Sequence, residues 1–426
     1  MRFKRGKQGQ RAADTGEAMI SNDSIVKKVL DGKRIDENEA LWALENMDLP
    51  TLSFLATHVR DSRALNGPDV VSYVISRNVN YTNICITDCD FCSFYTHPKE
   101  EGAYTLSMDE LRQKAQELVD LGGTEVLLQG GHNPRIPLSY YQEMLQLFKQ
   151  DYNLHNHAFS PSEIQNFAIF FRMSIPEVLK ELMAAGLDSI PGGGAEILVD
   201  RVREIICPKK GMANDWLEPM REAHKLGIRS SATMMFGHVE THAERIEHLR
   251  RLRDLQDETG GFTAFICWTF QNEGNDMSHV AMTGAHDYLR TQAVARIYLD
   301  NFDNVQASWV TQGGKVGQIS LGYGCNDMGS LMIEENVVRL AGASFRMSEF
   351  EVRRLVREAG YTPRRRNFYY DLLDEPADLD EKLNAHYKEA MQHKFKRAGK
   401  GQEFKLEIDL EDERRAADKA AAAKAL

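Results

Sequence analysis

The chain has 426 residues, 42% hydrophobic and 27% charged, with a formal net charge of −11. That length suits one large α/β barrel with extensions or two ordinary domains, and the acidic balance argues against a general nucleic-acid binder, which carries a basic excess or face. No apolar run approaches the roughly 18 residues of a membrane span, and the basic start MRFKRGKQGQRAADTGEAM lacks the apolar core of a signal peptide, so a cytoplasmic protein without membrane insertion is expected.

Residues 1–70 read as a helical lead-in. The stretch SIVKKVLDGKRIDENEALWALENM has apolar residues at helical spacing, broken at Gly32, with Asp36 or Asn38 as the second helix start. From residue 71 strands and helices alternate. Strands are expected at 71–85, 124–130, 154–160, 187–193, 229–237, 262–271, 305–311 and, less sharply, near 325–333. Segments of helical period fall at 107–121, 139–152, 176–185, 241–257 and 287–302. Gly122, Gly186, Gly227 and Gly260 stand where a left-handed residue would close a helix before the next strand.

Eight strand–helix repeats predict an α/β fold of the TIM type, a (β/α)8 barrel over residues 71–373, with a doubly wound open sheet as the rival. Unusual polar and glycine-rich pieces follow the first five strands: a cysteine loop, QGGHNP, HAFSPSE, PGGGAE and FGHVET. A barrel gathers such loops at one mouth, where its active site forms, so the barrel is preferred. Residues 374–426 are a charged, alanine-rich extension with little apolar surface to bury, expected to be mobile after about residue 390.

Three of the six cysteines fall within eight positions, as Cys85-x3-Cys89-x2-Cys92 in CITDCDFC. In a reducing compartment such a cluster suits metal binding better than disulfides. One reading is a closed zinc site completed by His97. The other is a [4Fe-4S] cluster, for which three thiolates leave one iron free to bind a small molecule. An open coordination position and a place at the barrel mouth favour the cluster. Cys207, Cys267 and Cys325 lie singly and read as small apolar fillers.

The CxxxCxφC pattern, with Phe91 before the last cysteine, resembles the signature of the radical S-adenosylmethionine (SAM) superfamily. The likeness runs from about residue 20 to 373. Within the superfamily, RNVNYTNICITDCDFCSFY, LLQGGHNPRIPL, HAFSPSEI, AGLDSIPGGGAEILVDRVR, ATMMFGHVET, QDETGGFTAFICWTFQ and ASWVTQGGKVGQISLGYGCNDMGSLMIEENVVRLAG are similar to the cyclic dehypoxanthinyl futalosine synthase family. The related aminofutalosine synthases are the alternative. The resemblance implies a [4Fe-4S] cluster on Cys85, Cys89 and Cys92 and S-adenosyl-L-methionine on its open iron. It further implies dehypoxanthine futalosine as the small-molecule substrate, a place in menaquinone biosynthesis, and an electron donor such as flavodoxin or ferredoxin. The implied reaction is a ring closure: a 5′-deoxyadenosyl radical takes the sugar C4′ hydrogen, the carbon radical adds to the benzoate ring, and loss of an electron and a proton restores aromaticity.

The same resemblance suggests roles for further residues. Phe91 would pack on the adenine, and Gln129, Gly130 and Gly131 would face the methionine part of the cofactor, with His132 where relatives in the superfamily carry Glu. Ser160 and Glu163 are either cofactor contacts or a capped helix start. Glu196 and Arg201 would meet the cofactor's ribose and carboxylate, or take part in a solvent-facing ion pair. Asn80 and His157 are expected as strand-end substrate contacts, and His132 and Glu240 as candidates for the base that takes the ring proton. Gly192, Gly193 and Gly194 lack the spacing of a phosphate loop and read as a close backbone approach or a tight turn.

Overall fold

The computed structural model describes residues 20–398. Helices α1 (Asn22–Leu30), α2 (Glu37–Asn46) and α3 (Leu49–Arg63) come first. Asp36, rather than Asn38, caps α2, its side chain accepting from the Glu39 N–H at 2.9 Å. The alternation then runs β1 (Val70–Val74), β2 (Ser76–Val79), α4 (Met108–Asp120), β3 (Glu125–Leu128), α5 (Leu138–Gln146) and β4 (His155–Ala158). It continues with α6 (Pro161–Phe171), α7 (Ile175–Ala185), β5 (Ser189–Ile190), α8 (Asp200–Ile206), α9 (Ala213–Lys225), β6 (Arg229–Phe236) and α10 (His242–Thr259). The last part holds β7 (Phe262–Thr269), α11 (Ala285–Tyr298), β8 (Asn304–Gln306), α12 (Trp309–Ser320), β9 (Asp327–Ser330), α13 (Val337–Leu340), α14 (Glu349–Glu358), β10 (Thr362–Arg365) and α15 (Leu379–Ala398). The tail expected to be mobile lies, beyond the end of α15, outside the described residues. No helix among the described residues is long and apolar enough to cross a membrane.

Each of the eight expected strands is present, and β10 is an addition. All pairings are parallel, in the order β10-β1-β9-β8-β7-β6-β5-β4-β3-β2. β1 and β2 are one strand interrupted at Ile75. β1 meets β9 and β10 while β2 meets β3, so both ends of the sheet return to one stretch of chain and the sheet curls into a barrel. Capping boxes set the helix starts between strands, at Ser107, Ser160, Ser174 and Thr241. Gly186 and Gly260 close α7 and α10 in the left-handed conformation.

Strand alternation divides the apolar from the polar. Val126 and Leu128 of β3 turn outward and are buried in one apolar cluster with Leu111, Ala115 and Leu118 of α4 and Met144 and Leu145 of α5. Each fully buried side chain of this size contributes about 1.5–3 kcal/mol. The inward residues are different: Ser76 and Asn78, Glu125 and Gln129, His157, Ser231 and Thr233. Typical barrels fill this space with layers of branched apolar side chains. Here small and polar residues are interspersed with apolar ones, and the lumen is hollow.

The N-terminal ends of the strands are closed by the segment after β10. Arg366 donates from Nε to Asp327 Oδ2 at 2.6 Å and from Nη2 to Oδ1 at 3.0 Å, with both residues buried. Its guanidinium also lies 4.0 Å from the Tyr370 ring centroid, and the Phe368 ring sits 4.7 Å from both His155 and His157. One end of the lumen is thus plugged, and the other opens among the loops.

Candidate functional site

The lumen is a cavity of about 420 Å³. Cys85, Cys89 and Cys92 line its open end, on the loop that leaves β2. That loop is held from several sides. The Cys92 N–H donates to the Cys89 carbonyl at 3.0 Å and the Asp90 N–H to the Ile206 carbonyl at 3.0 Å. Cys85 Sγ accepts from the His132 N–H at 3.3 Å and lies 2.8 Å from Thr87 Oγ1, so donors already face one sulfur. Gly131 is needed there, because a Cβ would collide with the Ile84 carbonyl and the Cys85 side chain. Among the described residues no three of His, Cys, Asp and Glu stand close enough to hold a single metal ion. His97 is turned to Asp88, with Nδ1 3.6 Å from its carboxylate, away from the lining of the cavity. Three thiols around one opening, without convergence on one point, suit a polynuclear group better than a lone zinc ion.

The structure brings most of the other expected residues to the same cavity. Phe91, Gln129, Gly130, Gly131, His132, Ser160 and Glu196 line it near the cysteines, and Asn80 and His157 line its wall. Ser160 caps α6 and also lines the cavity. Glu163 beside it accepts from Tyr81 Oη (2.5 Å), the Gly130 N–H (3.1 Å) and both the N–H and Oγ of Ser160 (2.7 and 2.6 Å). Burial nonetheless pushes its carboxyl up, these donors only partly opposing it. Gly192 and Gly193 are places of close approach, where a Cβ would meet the Ser231 carbonyl and the Gln129 amide respectively.

Two expected residues lie elsewhere. Arg201 is on the outer face of α8, paired with Glu244 at 2.6 Å and with the Val239 carbonyl at 3.0 Å, so its partner is neither Glu196 nor the cavity. Arg201→Ala is therefore expected to leave turnover within about twofold of the parent, because exposed ion pairs contribute little; a rate assay checks this. Glu240 is buried behind β6 and accepts from the Gly237 N–H (2.7 Å), the His238 N–H (2.9 Å) and Arg245 Nε (2.9 Å). It closes a turn and does not line the cavity.

His132 faces the cavity in a form unsuited to a base. Burial, with the Lys210 charge, lowers its pKa to about 3, so the ring is neutral. Nδ1 takes a hydrogen bond from Asn166 Nδ2 at 2.9 Å, which places the proton on Nε2. The ring then offers a donor. Cys207, expected as filler, has its thiol hydrogen-bonded to that of Cys89, which is raised first by that bond and then by burial.

Several residues of the site are not among those singled out from the sequence. Lys210, half-buried among the cysteine loop, Phe91 and Glu196, donates to Glu196 Oε1 at 2.7 Å, and its Nζ lies 5.1 Å from the Phe91 ring centroid. Burial opposes its charge, but the Glu196 carboxylate outweighs that and keeps it charged. Glu335 lines the mouth, accepting from Asn78 Nδ2 at 2.9 Å. At the plugged end stands Glu125, whose pKa burial pushes up to about 7.

Glu125 has a consequence for stability. A carboxyl with a raised folded-state pKa stabilises the fold fully below its unfolded value, near 4.5, and that contribution is lost as pH rises through about 7. The loss amounts to about 3 kcal/mol at most. Buried histidines with lowered pKa act in the opposite sense over the same range. Only the difference isolates Glu125: the stability of Glu125→Gln relative to the parent should rise between pH 4.5 and 7, measured by urea unfolding.

Residues 79–252 match the family described as the radical SAM superfamily, and residues 259–379 match the CofH/MqnC C-terminal region. The chain is 42% identical to the cyclic dehypoxanthine futalosine synthase of Streptomyces coelicolor, over 85% of this chain and 92% of that protein. It is 43% identical to the 5-amino-6-(D-ribitylamino)uracil–L-tyrosine 4-hydroxyphenyl transferase of Archaeoglobus fulgidus, over 72% of this chain and 90% of the relative. The crystal structure of methylornithine synthase superimposes with a TM-score of 0.64 at 18% identity, over 80% of this chain and 97% of that one, a likeness of fold.

Proposed function

We propose a reaction from this premise: the chain belongs to the radical SAM superfamily and carries the C-terminal region of its CofH/MqnC branch. The reading is a cyclic dehypoxanthine futalosine synthase, which closes a ring in dehypoxanthine futalosine on the way to menaquinone. The observation that carries it is the hollow lumen, with polar groups set in a largely apolar wall, opening directly onto Cys85, Cys89 and Cys92. The cyclase relatives are 42% and 41% identical over 85% and 83% of the chain, whereas transferase relatives are 43% identical over 72% or 39% identical over 83%.

A [4Fe-4S] cluster with S-adenosyl-L-methionine supplies a 5′-deoxyadenosyl radical that can remove an unactivated hydrogen atom. The donor set fits such a group: three thiols, donors at Cys85 Sγ, and the half-buried cation of Lys210 to offset negative charge. Phe91, Gln129, Gly130, Gly131, Ser160 and Glu196 are the residues that would hold the cofactor. Asn80 and His157 would orient the substrate in the lumen. The wall formed by Ile266, Trp268 and Met328 would pack its aromatic ring and keep water from the reacting carbon. An electron donor of the flavodoxin or ferredoxin type would act at the mouth. The chain divides in this reading into a helical extension (1–70), the catalytic barrel (71–373) and a charged extension (374–426) of a cytoplasmic enzyme.

The test is an anaerobic reaction of the reconstituted protein with S-adenosylmethionine, a strong reductant and dehypoxanthine futalosine, followed by mass spectrometry. Deoxyadenosine with a product two hydrogens lighter than substrate is expected. Deoxyadenosine without conversion would move the substrate to a sister reaction such as that of aminofutalosine synthase. Intact cluster without deoxyadenosine would overturn the radical chemistry.

A further inference from the structure

We propose that Glu125, with His157 and Arg366, forms a seat for sugar hydroxyl groups at the plugged end of the lumen, opposite the cysteine loop. This rests on the cyclase reading in that the sugar would be the substrate's own ribose.

Glu125 is the first residue of β3 and shares the inward face of that strand with Leu127 and Gln129. Gln129, near the open end, is four positions further along, roughly 13 Å in an extended strand. It is 7% exposed, lines the cavity, and its Oε2 is buried without any hydrogen-bond partner. Leaving such an oxygen unpaired is costly, and buried polar groups without partners are rare in folded proteins. A bound donor would satisfy it.

Arg366 and His157 define what kind of donor fits. Arg366 spends Nε and Nη2 on Asp327 and Nη1 on the Asn367 carbonyl at 3.0 Å. A guanidinium has five N–H groups, so two remain beyond these three bonds. His157 is held at Nδ1 by Ser189 Oγ at 2.7 Å, while Nε2 has only a long contact of 3.4 Å to Ser231 Oγ. The end of the lumen therefore offers an acceptor in Glu125 and further hydrogen-bonding capacity in its two neighbours.

Charge separates the possible ligands. The Arg366 cation is already matched by the bidentate Asp327 carboxylate, and Glu125 adds a second acid. An incoming carboxylate would meet two acids against one guanidinium in a desolvated space. A neutral group that both donates and accepts meets no such penalty. Hydroxyl pairs have that character, and a carboxylate on a ribose hydroxyl is a recurrent pairing in nucleotide sites.

The test uses the reconstituted holoenzyme and two probes, methyl β-D-ribofuranoside and 3-acetylbenzoate, followed by saturation-transfer NMR. The ribofuranoside should bind the parent and lose at least fivefold of its signal in Glu125→Ala, with the benzoate signal retained. Glu125→Gln should raise the KM for dehypoxanthine futalosine about tenfold with a smaller change in kcat, as expected for a lost ground-state contact. Removal of an unpaired buried acid does not cost stability, so both variants should melt no lower than the parent. Equal ribofuranoside binding in parent and Glu125→Ala, or selective loss of the benzoate, would overturn the seat. Absence of cyclised product from the parent would count against the cyclase reading alone, and the probe comparison would still decide the seat.

Discussion

Cys89→Ala should abolish reductive cleavage of S-adenosylmethionine, by on the order of a thousandfold or more, because a cluster held by only two thiolates does not persist. The barrel should survive the change. Cys89 belongs to a loop beyond the strand ends, and alanine removes one sulfur atom from its contact with Cys207. A deletion of that size in a buried place costs about 1 kcal/mol. Iron and sulfide content, the visible absorbance of the reconstituted protein and the deoxyadenosine yield together read the outcome. Cys207→Ala is the informative contrast: it empties the other side of the same contact and should retain iron. Normal deoxyadenosine from Cys89→Ala would mean that the three-cysteine assignment is mistaken, and iron loss confined to Cys207→Ala would move a ligand to that residue.

The barrel was legible because its strands announce themselves by β-branched and apolar content and, for the first five, by the polar or glycine-rich loop that follows each. β10 was missed for a physical reason. Thr362-Pro363-Arg364-Arg365 has no apolar alternation, and it is a strand only because β1 offers it a free edge below the start of β3. The cysteine loop needed only spacing to be found. Glu125 had a usable signal that went unread: if Gln129 faces the lumen, parity along β3 places residues 127 and 125 there also. Lys210 had none, since CPKKG carries no periodicity and its place follows from the turn after α8. Arg201 and Glu240 were drawn toward the site by nearness in sequence to mouth loops, yet each is taken by a partner on its own side of the sheet, Glu244 and Arg245.

The plug of the lumen is where a single substitution should cost most stability. Arg366→Met removes the guanidinium at nearly constant volume and leaves the fully buried Asp327 carboxylate without its counter-charge. Breaking a buried pair from one side costs about 3–5 kcal/mol, because the remaining ion is stranded. Two neutral donors persist, Ser72 Oγ at 2.6 Å and the Gly329 N–H at 2.7 Å, so the lower part of that range is expected. Adding Asp327→Asn removes the stranded charge and should restore part of the loss, whereas two independent sites would add their costs. Urea unfolding followed by circular dichroism measures both variants against the parent. A loss below about 1 kcal/mol for Arg366→Met would mean that water reaches the pair, and the lumen would then be open at both ends. A loss in the expected range with partial recovery in the double variant would leave the lumen with one entrance, so that substrate and cofactor must share the mouth beneath the cysteine loop.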